Sequence, residues 1–489
     1  MDYHIELDLY IKKLISTFDN NFVLDIETNK YIFNDEYDSV SESSNSESSE
    51  SEYDSYDDND NNDNNKSKNE SINSSTKSSG NADKISGNEF RGTIIQDYMI
   101  LDKIGCGAFS SVWLGYSIIK EELVAIKICH PQDHKDGLKE IKILDNIRDK
   151  NVDMTYLLTY IEHFEIEPIM LRDNYYREDI LNKHIVIIMP LLGCSTYDLL
   201  DLKKYQYGLP LEMLKKIMKQ LILGLIELEK TGVMHTDLKP ENILIKGMTY
   251  KNKFILDLIK HININQLIND FTNKYNIAAD TFGDKNIVYS QITKTLANYI
   301  ELKDMYEDEC IMDEYLEDIK IKICDFNCSI EYKNRLGEKT IEIQTRYYRA
   351  PEIILGYGLH KTTDVWSLGC LFYELLTGII LFDPEKDIMT TDQTHLYLIQ
   401  ELFGSFDRKI IMNSYNREDL YDSSYKLLYS KPKIKKVDLR DRLKEDLELK
   451  IYSNNQIKYI SKFIENILCI DCNCRNNYKE ILLQLDKLY

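Results

Sequence analysis

The stretch His235-Thr236-Asp237-Leu238-Lys239-Pro240-Glu241-Asn242 constrains this chain more than any other part of it. It holds a carboxylate, an ammonium and an amide at spacings of two and three residues, so three reactive ends can meet in one small volume. Moving a phosphoryl group requires those groups: a base for the attacking hydroxyl, a cation for the phosphate and an oxygen ligand for a metal. In this reading Asp237 accepts or orients the hydroxyl proton, Lys239 neutralises charge on the transferring group, and Asn242 binds magnesium through its side-chain oxygen. The whole string is far more specific than any pair of its members.

Such a site needs partners elsewhere in the chain. Asp325, ahead of Phe326, is a second oxygen ligand for a hard Mg²⁺ ion. Gly105-Cys106-Gly107-Ala108-Phe109-Ser110 follows one strand pattern and precedes another, where glycines let backbone amides approach phosphates. A lone Gly-x-Gly is usually an ordinary turn, and the third position that commonly carries Gly holds Ser110. Val124-Ala125-Ile126-Lys127 sets a lysine in an apolar strand. A buried ammonium needs a partner, and Glu140, thirteen residues on along a helical pattern, is the candidate. The bland alternative is a lysine at a strand edge with a solvated glutamate.

Charge and composition narrow the function class. The 489 residues carry a net charge of −22, and residues 1–90 hold 21 of the 82 acids but only 7 of the 60 bases. The acidity is mostly a property of this tail, and a direct nucleic-acid interface is not expected. No apolar run is long enough for a transmembrane helix, so no membrane partner is expected either. The opening MDYHIELDLYIKK is acidic before it is basic and does not read as a secretory signal. Ten cysteines without framework spacing suggest reduced thiols. Cys469, Cys472 and Cys474 lack a fourth ligand for zinc and read as plain thiols. The abundance of Asn, Ile, Lys and Tyr is taken as AT-rich genome bias, of a protist or a giant DNA virus.

Along the chain, residues 1–33 contain apolar positions able to form a short helix or strand. Residues 34–90 have almost nothing to bury and are expected to be disordered. Ser46, Ser48 and Ser49 are acid-flanked and phosphorylatable, although a solvated spacer is the plainer reading. From Asp97 the runs Tyr98–Ile104, Ser111–Ser117, Leu123–Cys129 and Ile185–Met189 read as strands. Lys135–Arg148 reads as a helix with periodicity at Leu138, Ile141, Leu144 and Ile147 or their neighbours, and Leu211–Lys230 and Thr363–Leu376 as further helices. Residues 247–318 separate the two metal-ligand motifs and read as an insertion, with one amphipathic helix over Phe254–Phe271 and an acidic, exposed stretch at Met305–Asp318.

The octapeptide, the Gly-x-Gly loop, Lys127, Asp325-Phe326-Asn327 and Gln344-Thr345-Arg346-Tyr347-Tyr348-Arg349-Ala350-Pro351-Glu352 together resemble the eukaryotic protein kinases across residues 97–489, apart from the insertion. Within them the chain looks most like the SR-protein kinases, in the group that also holds cyclin-dependent and mitogen-activated kinases. The likeness rests on residues 105–114, Tyr207-Gly208-Leu209-Pro210, His235-Thr236-Asp237, Ile343-Gln344-Thr345-Arg346 and the placing of the insertion.

That resemblance implies an α+β, bilobal fold. Its small lobe, 97–190, would have a five-stranded sheet and one helix, and its large lobe, 191–489, would be mainly helical. It implies ATP between the lobes, against Ile104, Gly105, Cys106, Gly107, Ala108, Phe109, Ser110, Ser111, Val112, Ala125, Lys127 and Leu244. Met189 would lie behind the adenine and the hinge at Pro190–Leu192, with Mg²⁺ at Asn242 and Asp325. It also implies that Thr345 shapes the substrate pocket beside Asp237, that Glu352 pairs with Arg475, and that Asp364 anchors the backbone near a core His235.

Thr236 stands where most kinases have an Arg that pairs with an activating phosphate, so activity without such phosphorylation is expected. Asn327 replaces a Gly in the metal motif, and Asn tolerates left-handed geometry. Protein substrates are implied, among them Arg-Ser-rich ones. Glu401 matches one docking acid of the look-alikes, whereas Ile379 and Thr394 replace others. A monomer inside the cell is expected, in cytoplasm and nucleus, or in host cytoplasm if the source is viral. The competing readings are a pseudokinase scaffold and a related kinase with other substrates.

Overall fold

A β-rich lobe followed by a helical lobe is what the change in texture after Pro190 leads one to expect. The computed structural model describes residues 3–25, 30–33, 90–167, 183–274, 282–302, 311–384, 390–428 and 436–488. The acidic serine-rich stretch, with Ser46, Ser48 and Ser49, lies outside them.

The small lobe is one antiparallel sheet. Its strands run in the order Ile94–Ile95, Tyr98–Cys106, Ser110–Ser117, Glu122–Cys129, His184–Pro190 and Glu162–Ile166. The expected five strands are thus joined by a sixth, the two-residue edge strand Ile94–Ile95. Glu162–Ile166 forms the opposite edge. Its sequence, EHFEI, leaves most of its side chains in water and carries little strand signal of its own.

Helix His134–Asp149 packs beside His184–Pro190 and buries Glu140, Ile141, Ile143, Leu144 and Ile147. Leu138, expected inward, is 45% exposed. With Ile141, Leu144 and Ile147 fixing the buried stripe, Glu140 and Ile143 flank it and Leu138 falls outside it.

The large lobe centres on Thr363–Thr377, all fifteen residues of which are buried. Leu211–Thr231, Asn454–Ile467 and Tyr478–Leu485 surround it, and one apolar core runs from Ile141 and Ile185 of the small lobe to Ile481. Gly208, before the long helix Leu211–Thr231, has φ 90°, and a Cβ there would meet the Leu376 carbonyl oxygen at 2.2 Å. Only glycine fits this crossing.

The insertion forms a second core. Phe254–Phe271 is not one helix but parts of two, Tyr250–Ile262 and Ile264–Lys274, interrupted at Asn263 with φ 50°. Asn adopts this left-handed conformation at low cost and so can end the first helix. A third helix, Phe282–Leu302, follows. Of Met305–Asp318, residues 305–310 lie outside the described residues, and Ile311 and Leu316 are buried, contrary to the exposed reading.

Residues 3–33 contribute the helix Tyr3–Asn21, followed by a hairpin of Phe22–Asp25 with Lys30–Phe33. Leu7, Ile11, Ile15 and Phe18 of this helix meet Phe254, Leu258 and Ile292 of the insertion and Met99, Leu101 and Tyr116 of the sheet. Polar contacts lock the same junction: Lys251–Asp102 at 2.6 Å, Asn265–Glu121 at 2.6 Å and Thr295–Asp8 at 2.8 Å. An insertion that leaves the chain in the large lobe therefore closes onto the small one. Leu258→Ala should cost about 2–5 kcal/mol, read by denaturant unfolding. A change near zero would mean that this second core contributes nothing.

Candidate active site

The octapeptide is a loop between two short strands. Val233–Met234 before it pairs with Ile330–Glu331, and Ile243–Ile245 after it pairs with Ile321–Ile323. The partner strands flank Asp325 on both sides, so two backbone ladders bring the octapeptide and the Asp325 motif together across the insertion.

Asp364 holds the loop backbone. Its Oδ2 accepts from the His235 amide at 2.7 Å and its Oδ1 from the Thr236 amide at 3.0 Å. Burial pushes the Asp364 carboxyl up to about 6, against the pull of these donors. His235 is fully buried; its Nε2 lies 3.0 Å from the Cys324 carbonyl, so the ring sits in the core and not at the reacting centre.

The reactive groups converge on Asp237. Lys239 Nζ lies 3.0 Å from its Oδ2, and the Thr345 hydroxyl donates to its Oδ1 at 2.6 Å. Asn242 donates its amide NH₂ to the Asp237 carbonyl at 2.8 Å and to its Oδ2 at 3.2 Å. The Asn242 side-chain oxygen is thereby the end left to serve a metal. Asp325 supplies the second oxygen donor, and this all-oxygen pair fits Mg²⁺, which fills its shell with phosphate and water.

Lys127 Nζ contacts Glu140 at 2.7 Å and Asp325 at 3.0 Å. Burial disfavours the ammonium, but the two carboxylates outweigh it and raise the Lys127 pKa, so it stays charged. Partial loss of solvation opposes ionisation of Asp325, whose side chain is still 42% exposed. Lys127 overrides it and holds that carboxyl below the usual carboxylate range. For Lys239, burial is again outweighed, here by Asp237, and its pKa is raised.

The cleft above these groups is lined by Ile104 to Ser110, Val112, Ala125, Lys127, Asp237, Lys239, Asn242, Leu244, Asp325 and Thr345. Its volume of about 2850 Å³ far exceeds that of a small-molecule pocket, because it runs past the hinge into a groove beside Tyr250–Phe254 of the insertion. A Cβ on Gly105 or Gly107 would meet no protein atom closer than 3.5 Å. Internal packing does not demand these glycines, and the space they leave open belongs to the cleft.

Ser111 is the one predicted nucleotide contact that does not line the cleft. Strand side chains alternate, so Val112 faces the cleft while Ser111 shares the other face with Trp113. There its hydroxyl accepts from Trp113 Nε1 at 2.8 Å. Leu158 lines the cleft as well, packing with Leu192, Cys324, Met189 and Leu244 at the hinge end, which no sequence motif indicates. It lies in an irregular segment with no motif around it, and is fixed there by its backbone bond to Ile323 (2.9 Å) and by the bond of the Ile323 amide to the Tyr156 carbonyl (2.8 Å).

Two further pairs support the substrate side. Arg475 bonds both oxygens of Glu352 at 2.8 Å, all buried. Tyr348 donates to Glu374 at 2.6 Å, and burial still pushes Glu374 up to about 7. Because this folded value exceeds the ordinary 4.5, the stability that Glu374 contributes is complete below about 4.5 and is lost as pH rises through about 7. Glu374→Gln should therefore lose less melting temperature than the wild type between pH 4.5 and pH 8. Equal losses would show that this carboxyl does not titrate in the folded protein as described.

The protein kinase domain profile matches residues 98–275 and 296–484. A putative serine/threonine-protein kinase of Acanthamoeba polyphaga mimivirus is 27% identical over 484 residues, covering 79% of this chain and 86% of that protein. The serine/threonine-protein kinase SRPK of Physarum polycephalum is 29% identical over 345 residues, covering 68% of this chain and 73% of that protein. A kinase-domain crystal structure superposes with a TM-score of 0.51 at 22% identity, over 79% of this chain and 94% of that one, a likeness of fold. With the ion pairs and the catalytic loop arranged as above, the chain belongs to the protein kinase domain family and is a serine/threonine kinase similar to the SR-protein kinases.

Proposed function

We propose that this kinase transfers the γ-phosphoryl of Mg-ATP to Ser and Thr hydroxyls of basic protein segments, and needs no phosphate on its own residues 325–352 to do so. The observation that supports the reading is the closed set Lys127–Glu140–Asp325 beside Asp237–Thr345, made entirely by this chain's own side chains. In the transfer the acceptor oxygen bonds to the γ-phosphorus, the bond from that phosphorus to the bridging oxygen breaks, and ADP leaves. The hydroxyl proton passes to Asp237. Bound Mg²⁺ at Asn242 and Asp325 would supply charge neutralisation on the phosphates. Lys127 orients the α and β phosphates, and Lys239 meets the charge on the moving group.

Side-chain contacts hold the segment after Thr345 in place. Arg346 pairs with Asp392. Arg349 donates to the Gln344 carbonyl at 2.9 Å, and Gln344 bonds Ser367 Oγ at 2.8 Å and the Ala350 amide at 2.9 Å. The two departures that favour a pseudokinase lose their weight. Neither Asn327 nor Ser110 has a positive φ; the left-handed residue of the metal motif is Asp325, at 62°. The tolerance of Asn for that geometry is thus not called upon.

Basic substrates are supported by the acids that crowd the substrate side. Asp198, Asp201 and Glu241 line the same cleft as Asp237 and Thr345. Glu401 matches one docking acid of the look-alikes, and its Oε1 accepts from Tyr397 at 2.9 Å. Thr394 is buried and Ile379 is exposed but apolar, which favours a second reading, a kinase of the same group with substrates other than Arg-Ser repeats.

A degenerate peptide array separates the two, with Arg enrichment around Ser expected for the first. Asp237→Asn should lower kcat by about 10²–10⁴-fold while nucleotide affinity is nearly kept, and equal turnover would remove Asp237 from its role. Enzyme stripped of phosphate should keep its turnover; loss of activity on dephosphorylation would refute the phosphate-independent reading.

A further inference from the structure

The four-residue turn that carries the metal-binding Asp325 is pinned at both ends by the catalytic loop. At its start the Cys324 amide donates to the Asn242 carbonyl at 3.0 Å, and the Cys324 carbonyl faces His235 Nε2 at 3.0 Å. At its end the Thr236 hydroxyl donates to the Cys328 carbonyl at 2.8 Å, and the Ser329 hydroxyl donates to the His235 carbonyl at 3.1 Å. Between these pins Asp325 sits at φ 62°, a conformation that L residues adopt rarely and keep only when the surroundings impose it.

Thr236 itself has φ 64°. For a β-branched residue this is a strained conformation, and Gly or Asn would occupy it at lower cost. Its amide is already held by Asp364, an interaction any residue could make. What Thr adds is the hydroxyl, and the hydroxyl reaches only the backbone just beyond the metal ligand. Thr236 is fully buried, so a competing bond to bulk water is absent.

We propose that Thr236 is a positioning residue whose hydroxyl, through the Cys328 carbonyl, holds the Asp325 turn in its metal-binding conformation. The proposal rests on the kinase reading above and adds to it a means by which the metal ligand is set in the absence of phosphate.

The test uses the full chain and a non-hydrolysable ATP analogue, adenylyl imidodiphosphate, titrated with and without Mg²⁺, together with melting temperatures. Thr236→Val keeps the shape and the strained backbone and removes the hydroxyl. It should bind the analogue without Mg²⁺ as the wild type does, and lose about three- to tenfold of the Mg²⁺-dependent gain in affinity, the equivalent of one hydrogen bond. Thr236→Ser should restore that gain. Thr236→Gly, which relieves the positive φ, should melt no lower than Thr236→Val and still show the loss, a separation that a purely structural residue would not give.

Wild-type Mg²⁺ dependence in Thr236→Val, or no rescue by Thr236→Ser, overturns the proposal while the kinase reading stands. A wild-type protein whose nucleotide affinity ignores Mg²⁺ would instead overturn the kinase reading and this proposal together.

Discussion

The buried ion pair between Lys127 and Glu140 is the contact on which the rest of the site depends. Either charge left alone in that place would cost several kcal/mol, on the order of 3–5 when one partner of such a pair is removed. The strand Glu122–Cys129 and the helix His134–Asp149 must therefore sit in one relation, with 2.7 Å between Nζ and Oε1. Asp325, at 3.0 Å from the same ammonium, joins the small lobe to the large one. One cation thus fixes three elements, and the cleft between them follows from its position.

Around that centre the chain uses backbone as much as side chain. Two short ladders align the octapeptide with the strands flanking Asp325, and Asp364 takes two successive amides of the loop. The second core works at a larger scale. The helix Tyr3–Asn21, the insertion and the outer face of the sheet share one apolar cluster, so the insertion ties to the small lobe a segment that begins and ends in the large lobe. A kinase whose lobes are linked in this way has less freedom to open than one joined by its hinge alone.

Much of the site was legible because its chemistry is local or carried by distinct residue types. Lys127 in an apolar strand called for a carboxylate, and Glu140 lay at the right distance along the next helix. Asp237, Lys239 and Asn242 were readable from spacing alone. Pairings across the chain, such as Glu352 with Arg475, were reached only through resemblance, since nothing in either segment points to the other. The Ser111 side chain lies off the cleft, a placement that follows from the alternation of its strand with Val112. The break at Asn263, the edge strand Glu162–Ile166 and the packing of Leu158 depend on tertiary neighbours that a linear pattern does not hold. The left-handed backbone of Thr236 and its bond to Cys328 were out of reach for the same reason: Thr is a poor candidate for positive φ, and only the folded loop imposes it.

The most direct measurement is amide hydrogen exchange on the ligand-free protein stripped of phosphate. If Lys127, Glu140 and Asp325 hold the site closed by themselves, the helix His134–Asp149 and residues 324–331 should exchange nearly as slowly as the core strand Glu122–Cys129. Rapid exchange in both segments that slows only on phosphorylation would show that the site is assembled from outside, and would contradict the central claim.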